Sequence, residues 1–168
     1  MAKDGMAIRD EIISKAGKNL GENLVLMGEF HGILRDENGK VLKEQRVKNQ
    51  VQTYMLYHCA DQLSDQGDDA MSHMAVGDST GQGIADTALA SQIGVRYALD
   101  SGTPLSTQAV VAYHRLFAAG EGTGTITEAG IFNHLSAGNM GLYNDSITFT
   151  KGALDTLEIS WTLTFARA

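Results

Sequence analysis

Residues 157–165 constrain this chain more than any other stretch. Leu157, Ile159, Trp161, Leu163 and Phe165 alternate with Glu158, Ser160, Thr162 and Thr164. Period two with one apolar face describes a strand in a sheet packed on one side and wet on the other. This strand is expected to supply the main apolar row of the core.

The segments before it have the same texture from residue 71 onward. Short apolar runs are separated by Gly, Thr, Ser and Asn. Met74-Ala75-Val76 reads as a buried strand. Arg96 to Leu99, Ala109 to Ala118, Thr125 to Phe132 and Leu142 to Thr150 read as further strands. Asp86 to Ile93 reads as one or two helical turns capped by Asp86 or Thr87. Near the start, Val25 to Leu34 and Lys40 to Lys48 flank Asp36-Glu37-Asn38-Gly39. Asn38-Gly39 is a strong hairpin signal because both residues accept positive φ. The Lys and Glu content of 40–48 suits an exposed edge.

One helix is expected over 49–64, with Asn49 as its N-cap. Val51, Tyr54, Met55, Cys59 and Leu63 form its apolar stripe, and the acidic loop Ser64 to Asp69 ends it. Several short strands with turn signals between them predict a mainly β fold. It would be an antiparallel β-sandwich or jelly-roll-like barrel, with the helix covering one end or an open edge. Residues 25–168 then form a single domain: hairpin 25–48, helix 49–64, sandwich 71–168.

Residues 1–24 read as an arm. Ile8, Ile12, Ile13 and Leu20 recur near helical spacing among Arg9, Asp10, Glu11, Lys15 and Lys18. Gly17 and Gly21 would stop such a helix. A short amphipathic segment needs a surface to pack on, whether the body or a partner. A frayed terminus is the plainer alternative.

Composition narrows the functional classes. The single Cys permits no internal disulfide. No apolar run approaches a membrane span, and no apolar signal segment opens the sequence. Residues 1–50 carry 9 Lys/Arg and 8 Asp/Glu, whereas residues 51–168 carry 4 and 12. So acidic a body should be repelled by phosphate backbones, and no nucleic-acid partner is expected. Acidity does allow docking onto a basic surface.

The search for catalytic chemistry returns little. His31, His58, His73, His114 and His134 form no metal-ligand spacing with one another or with Cys59. His73 and His114 lie on expected strands and could meet at a sheet rim. Cys59, on the apolar helix face, reads as a buried structural thiol. Gly77, Gly81 and Gly83 lack the ending of a phosphate loop, and Gly120 to Thr125 is turn chemistry. Asp61, Asp65, Asp68 and Asp69 lack the spacing of a calcium loop and read as a solvated helix end. Glu128 has no second carboxylate at catalytic spacing. It is expected to make a structural hydrogen bond or a salt bridge to Arg96 or Arg115. A carbohydrate-binding jelly roll would use Tyr54, Tyr57, Tyr97, Tyr113, Tyr143 or Trp161 as stacking rings. No cofactor and no metal is expected.

Four stretches carry a resemblance. They are Gly28-Glu29-Phe30-His31-Gly32 through Lys48-Asn49; Met71 to Gly77 with Asp86 to Ala90; Ile126 to Asn133; and Lys151-Gly152 through Phe165. In this order they resemble small virion structural proteins of tailed bacteriophages, described as capsid decoration (cement) or tail-, collar- and fibre-like proteins. The resemblance covers roughly residues 25–168. It implies a β-rich, non-enzymatic module on the virion surface, assembled in the host cytoplasm. Its partner would be the major capsid protein or a neighbouring tail protein, and it would self-associate as a homotrimer or homodimer. Ile8, Arg9, Ile12, Ile13, Lys15, Lys18 and Leu20 would then form a shell-docking arm. The small Ala75 in Met74-Ala75-Val76-Gly77 would permit close packing, and Gly77 would release the chain into a loop. Glu128-Ala129-Gly130 would set a buried acid where another backbone passes.

Overall fold

A computed structural model describes residues 24–167. In chain order its elements are β1 (Leu24–Arg35), β2 (Val41–Val51), α1 (Thr53–Leu63), β3 (His73–Gly77), β4 (Tyr97–Ala98), β5 (Leu105–Thr107), β6 (Val110–Phe117), β7 (Gly124–Ile126), β8 (Glu128–Phe132), β9 (Met140–Asn144), β10 (Phe149–Lys151) and β11 (Thr156–Arg167). The fold is mainly β, a curled antiparallel sheet with a single helix among the described residues.

The sheet has nine strands in the order β4-β3-β8-β9-β2-β1-β11-β6-β5, and β10 pairs with β7 beside it. β2 is the hinge of the curl. Residues 41–49 of β2 pair with β1, while Gln50 and Val51 pair with Tyr143 and Leu142 of β9. One long strand therefore belongs to both halves, which fold toward each other over a shared core. β1 and β11 run antiparallel for their full length, from Leu24 opposite Arg167 to Arg35 opposite Thr156.

The core sits inside the curl. β11 sends in Leu157, Ile159, Trp161 and Leu163, all buried. Phe165 is only partly buried and packs at the margin. Trp161 meets Phe30 of β1 edge to face, with ring centroids 5.2 Å apart. Met74, Val76, Ala129, Ile131 and Leu142 face them from the other half, and Ile126 and Phe149 of the β7–β10 pair join the same cluster.

A second, smaller cluster explains why β3, β8 and β9 are almost wholly buried rather than alternating. Ala75, Phe132, Met140 and Tyr143 face away from the main core, and Leu89 packs on them. Leu89 belongs to the long connection between β3 and β4, which thus covers the outer face of this half-sheet.

Several expectations need correction. Asn49 does not cap the helix: it ends the β1-paired part of β2, and Gln52 occupies the cap position without a side-chain capping bond. Val51 is likewise a strand residue. Met55 is buried, but Leu63 is 90% exposed, because α1 ends where the groove beside it opens. Asn38 does not take positive φ; only Gly39 does, at 81°. The reason is Asp36, whose carboxylate accepts the N–H groups of Asn38 and Lys40, each at 2.9 Å. That Asx turn sets the bend, and Gly39 alone absorbs the left-handed residue. Asp86 to Ile93 is not helical. The expected strands 125–132 and 142–150 each break in two, at Thr127 and at residues 145–148.

Candidate interaction site

Among the described residues, the buried polar groups serve the fold. Glu128 is fully buried. It accepts hydrogen bonds from Ser91 N–H at 2.7 Å, Ala90 N–H at 3.1 Å and the Tyr143 hydroxyl at 3.2 Å. It pins the β3–β4 connection to the sheet. The salt bridge expected with Arg96 or Arg115 does not form. Arg96 stacks on the Phe132 ring at 3.8 Å and donates to the carbonyls of His134 and Gly138. Arg115 pairs with Asp100 and Glu121. Gln52, also fully buried, donates to the carbonyls of Gly83 and Asp86 and ties down the same connection. The β-sheet residues Met74, Ala75, Val76, Gly77, Ala129 and Gly130 all lie within this buried half.

His73 and His114 do not meet. His73 lies near His134 and Arg96, and burial together with those charges lowers its pKa. His114 is held between two carboxylates on the sheet's outer face: Nδ1 is 2.8 Å from Asp100 Oδ2, and Nε2 is 3.1 Å from Glu158 Oε1. Ser160 lies opposite both His31 and His114 in the strand register. His31 Nε2 is in turn held by Glu44 at 2.7 Å, so each of the two histidines flanking Ser160 is engaged by a carboxylate.

Asp61, Asp65, Asp68 and Asp69 line a shallow acidic depression at the end of α1. Tyr54 is tied to this loop through Asp68, and burial with that contact pushes its hydroxyl pKa up to about 12. Among the described residues, no three His, Cys, Asp or Glu side chains gather as a metal site. Of the candidate stacking rings, Trp161, Tyr113 and Tyr143 are buried, and Tyr57 is the strongly exposed one.

No family model, curated protein or solved structure matches this chain. Two surfaces then stand out on physical grounds.

The first is the β1–β2 hairpin. Lys40, Lys43, Arg46 and Lys48 are exposed on it, and Arg35 lies beside its turn. Elsewhere on the body Arg96 and Lys151 are buried, Arg115 is paired, and Arg167 ends β11. With Glu29, Asp36, Glu37 and Glu44 beside these cations, the hairpin is near-neutral, against an acidic body. Arg46 sits 3.9 Å from Glu29 and 3.7 Å from Glu44, all exposed, so these pairs hold it weakly. Val41 and Leu42 are exposed beside the cations.

The second is an apolar groove of about 580 Å³ between α1 and the ends of β1, β6 and β11. Leu24, Leu26, Leu56, His58, Leu63 and Phe165 are among its walls. His58 is only 6% exposed, and its Nδ1 has no hydrogen-bond partner. Burial lowers its pKa, against the pull of Asp68 and Asp61. Cys59 also faces the groove; burial raises its thiol pKa, which disfavours a reactive thiolate. No sequence periodicity announced this groove, because it is made from three strands and a helix that are distant in the chain. The arm residues Ile8, Arg9, Ile12, Ile13, Lys15, Lys18 and Leu20 lie outside the described residues.

Proposed function

We propose that this protein is a non-enzymatic structural component of a tailed-bacteriophage virion, a capsid decoration protein that binds the outside of the head shell and braces it. The observation that carries this reading is the placement of the exposed cations. Among the described residues, every exposed Lys or Arg except Arg167 lies on the β1–β2 hairpin, beside Glu29, Glu37 and Glu44, whereas residues 51–168 carry 12 Asp/Glu against 4 Lys/Arg. Such a module approaches an acidic protein surface hairpin first and turns a soluble, repulsive face outward.

Two further features support it. The four stretches that resemble virion proteins make up β1, β3, β8 and β11 and the segments joined to them, which are the structural frame of the domain. The most buried polar groups, Glu128 and Gln52, are spent on holding a surface connection in place. Multivalent contact by a symmetric dimer or trimer would give a firm grip from modest single contacts. Partners are the major capsid protein and further copies of this chain.

The test is binding of purified protein to mature, undecorated heads, followed by cryo-electron microscopy. Copies at symmetry or quasi-symmetry sites over the head are the expected result. Failure to bind heads overturns the reading. Copies confined to the neck or tail tip would replace it with a tail or collar adaptor.

A further inference from the structure

We propose that the apolar groove beside α1 is the seat of this chain's own amphipathic segment, residues 8–20. This inference does not depend on the virion reading.

Four observations converge on that occupant. The described chain starts at the groove: Leu24, the first described residue, is one of its walls and is 68% exposed. Leu20 precedes it by four residues, which span at most about 14 Å when extended, so the segment is delivered to the groove's rim. The segment's apolar residues, Ile8, Ile12, Ile13 and Leu20, match the groove's need. Leu56 and Leu63 stand 52% and 90% exposed on its α1 wall, an apolar surface of the kind that usually marks a contact.

Charge fits as well. Gln62 and Ala70 line both the groove and the acidic depression of Asp61, Asp65, Asp68 and Asp69. Residues 14–20 carry Lys15 and Lys18 and no acid. Laid in the groove, this part of the segment runs beside that acidic rim.

The seating has a functional corollary. A segment held against the body is not free to grip another surface, so contact with a partner falls to the exposed cations of the hairpin.

Cys59 is the chain's single cysteine and faces the groove, so it reports on the occupant in the full-length protein. The experiment introduces one more cysteine at a time, as Ile12→Cys, Ile13→Cys or Glu11→Cys, and oxidises dilute protein. The expected result is an intrachain bridge to Cys59 from position 12 or 13 but not from 11. In parallel, Ile12→Asp/Ile13→Asp should speed Cys59 alkylation by about tenfold or more, with the circular dichroism spectrum unchanged. Bridging equally from position 11 would overturn the apolar seating. Disulfide-linked dimers would overturn the intrachain occupant and assign the groove to a second copy. Equal alkylation rates in the wild type and the double variant would leave the groove uncovered and end the proposal.

Discussion

A carboxylate oxygen of Glu128 lies 2.4 Å from the point where a β-carbon on Gly77 would sit. The two residues are paired across β3 and β8, and the Ser91 carbonyl lies just as close to that point. Gly77 is therefore needed for space, so that acid and connection can close over the strand. Gly77→Ala should cost about 1–3 kcal/mol as an overpacked site. Glu128→Ala should cost about 3 kcal/mol or more, because two backbone N–H groups and a hydroxyl lose their acceptor. Denaturant unfolding checks both. Hydrogen exchange at Ala90 and Ser91 should accelerate in each variant before global unfolding does.

Trp161 gives a second prediction. Its ring is fully buried against Phe30, yet its indole Nε1 has no partner. Trp161→Ala should cost about 3–5 kcal/mol, as large core truncations do. Trp161→Phe should cost much less, about 2 kcal/mol or under, since it removes the unpaired donor along with some area. A loss under about 1 kcal/mol for the alanine variant would contradict the inward face of β11.

Stability should fall on mild acidification. His58 and His73 have folded-state pKa values below 6.5, mainly through burial. Below about pH 6.5 the unfolded chain takes up protons that the folded chain refuses. Their contribution is thus complete above that pH and declines as pH falls from it toward the folded values. Thermal melts between about pH 7 and pH 5 should show this decline. His58→Gln should flatten part of it, and an unchanged slope would remove His58 from the account.

The hairpin cations give a prediction about binding. Lys43→Glu/Arg46→Glu/Lys48→Glu should weaken attachment to undecorated heads by about tenfold or more at low salt. The difference should shrink toward about 0.5 M salt, where exposed charges are screened. Folding should be unaffected, since these side chains are exposed. Equal binding of variant and wild type would move the contact off the hairpin.

The parts of the fold legible in the sequence were those set by local rules. β11 declared itself because one face is buried and the other is wet, so its period survives in the residues. The hairpin was legible from the turn, though its bend belongs to Asp36 rather than to paired positive φ at Asn38 and Gly39. Residues 125–132 and 142–150 hid their breaks because both faces of β8 and β9 are covered, which erases alternation. Asp86 to Ile93 looked helical from its own composition. Its Ala90 and Ser91 amides are instead taken by Glu128, 38 and 37 residues away in the chain, and no local pattern encodes such a distant acceptor. The groove was illegible for the same reason, while the uneven charge between residues 1–50 and the acidic remainder could be counted directly.

The pairing of β1 with β11 has a consequence for synthesis. The strand that links β1 to β6 follows β1 by about 120 residues in the chain, running from Thr156 to Arg167. Until it emerges, the nascent β1–β2 hairpin carries Phe30 and Leu34 without the neighbour that buries them. Completion of the body therefore waits until β11 has been made, and a chain truncated before residue 156 should be a substrate for chaperones and proteases rather than a smaller version of the same domain.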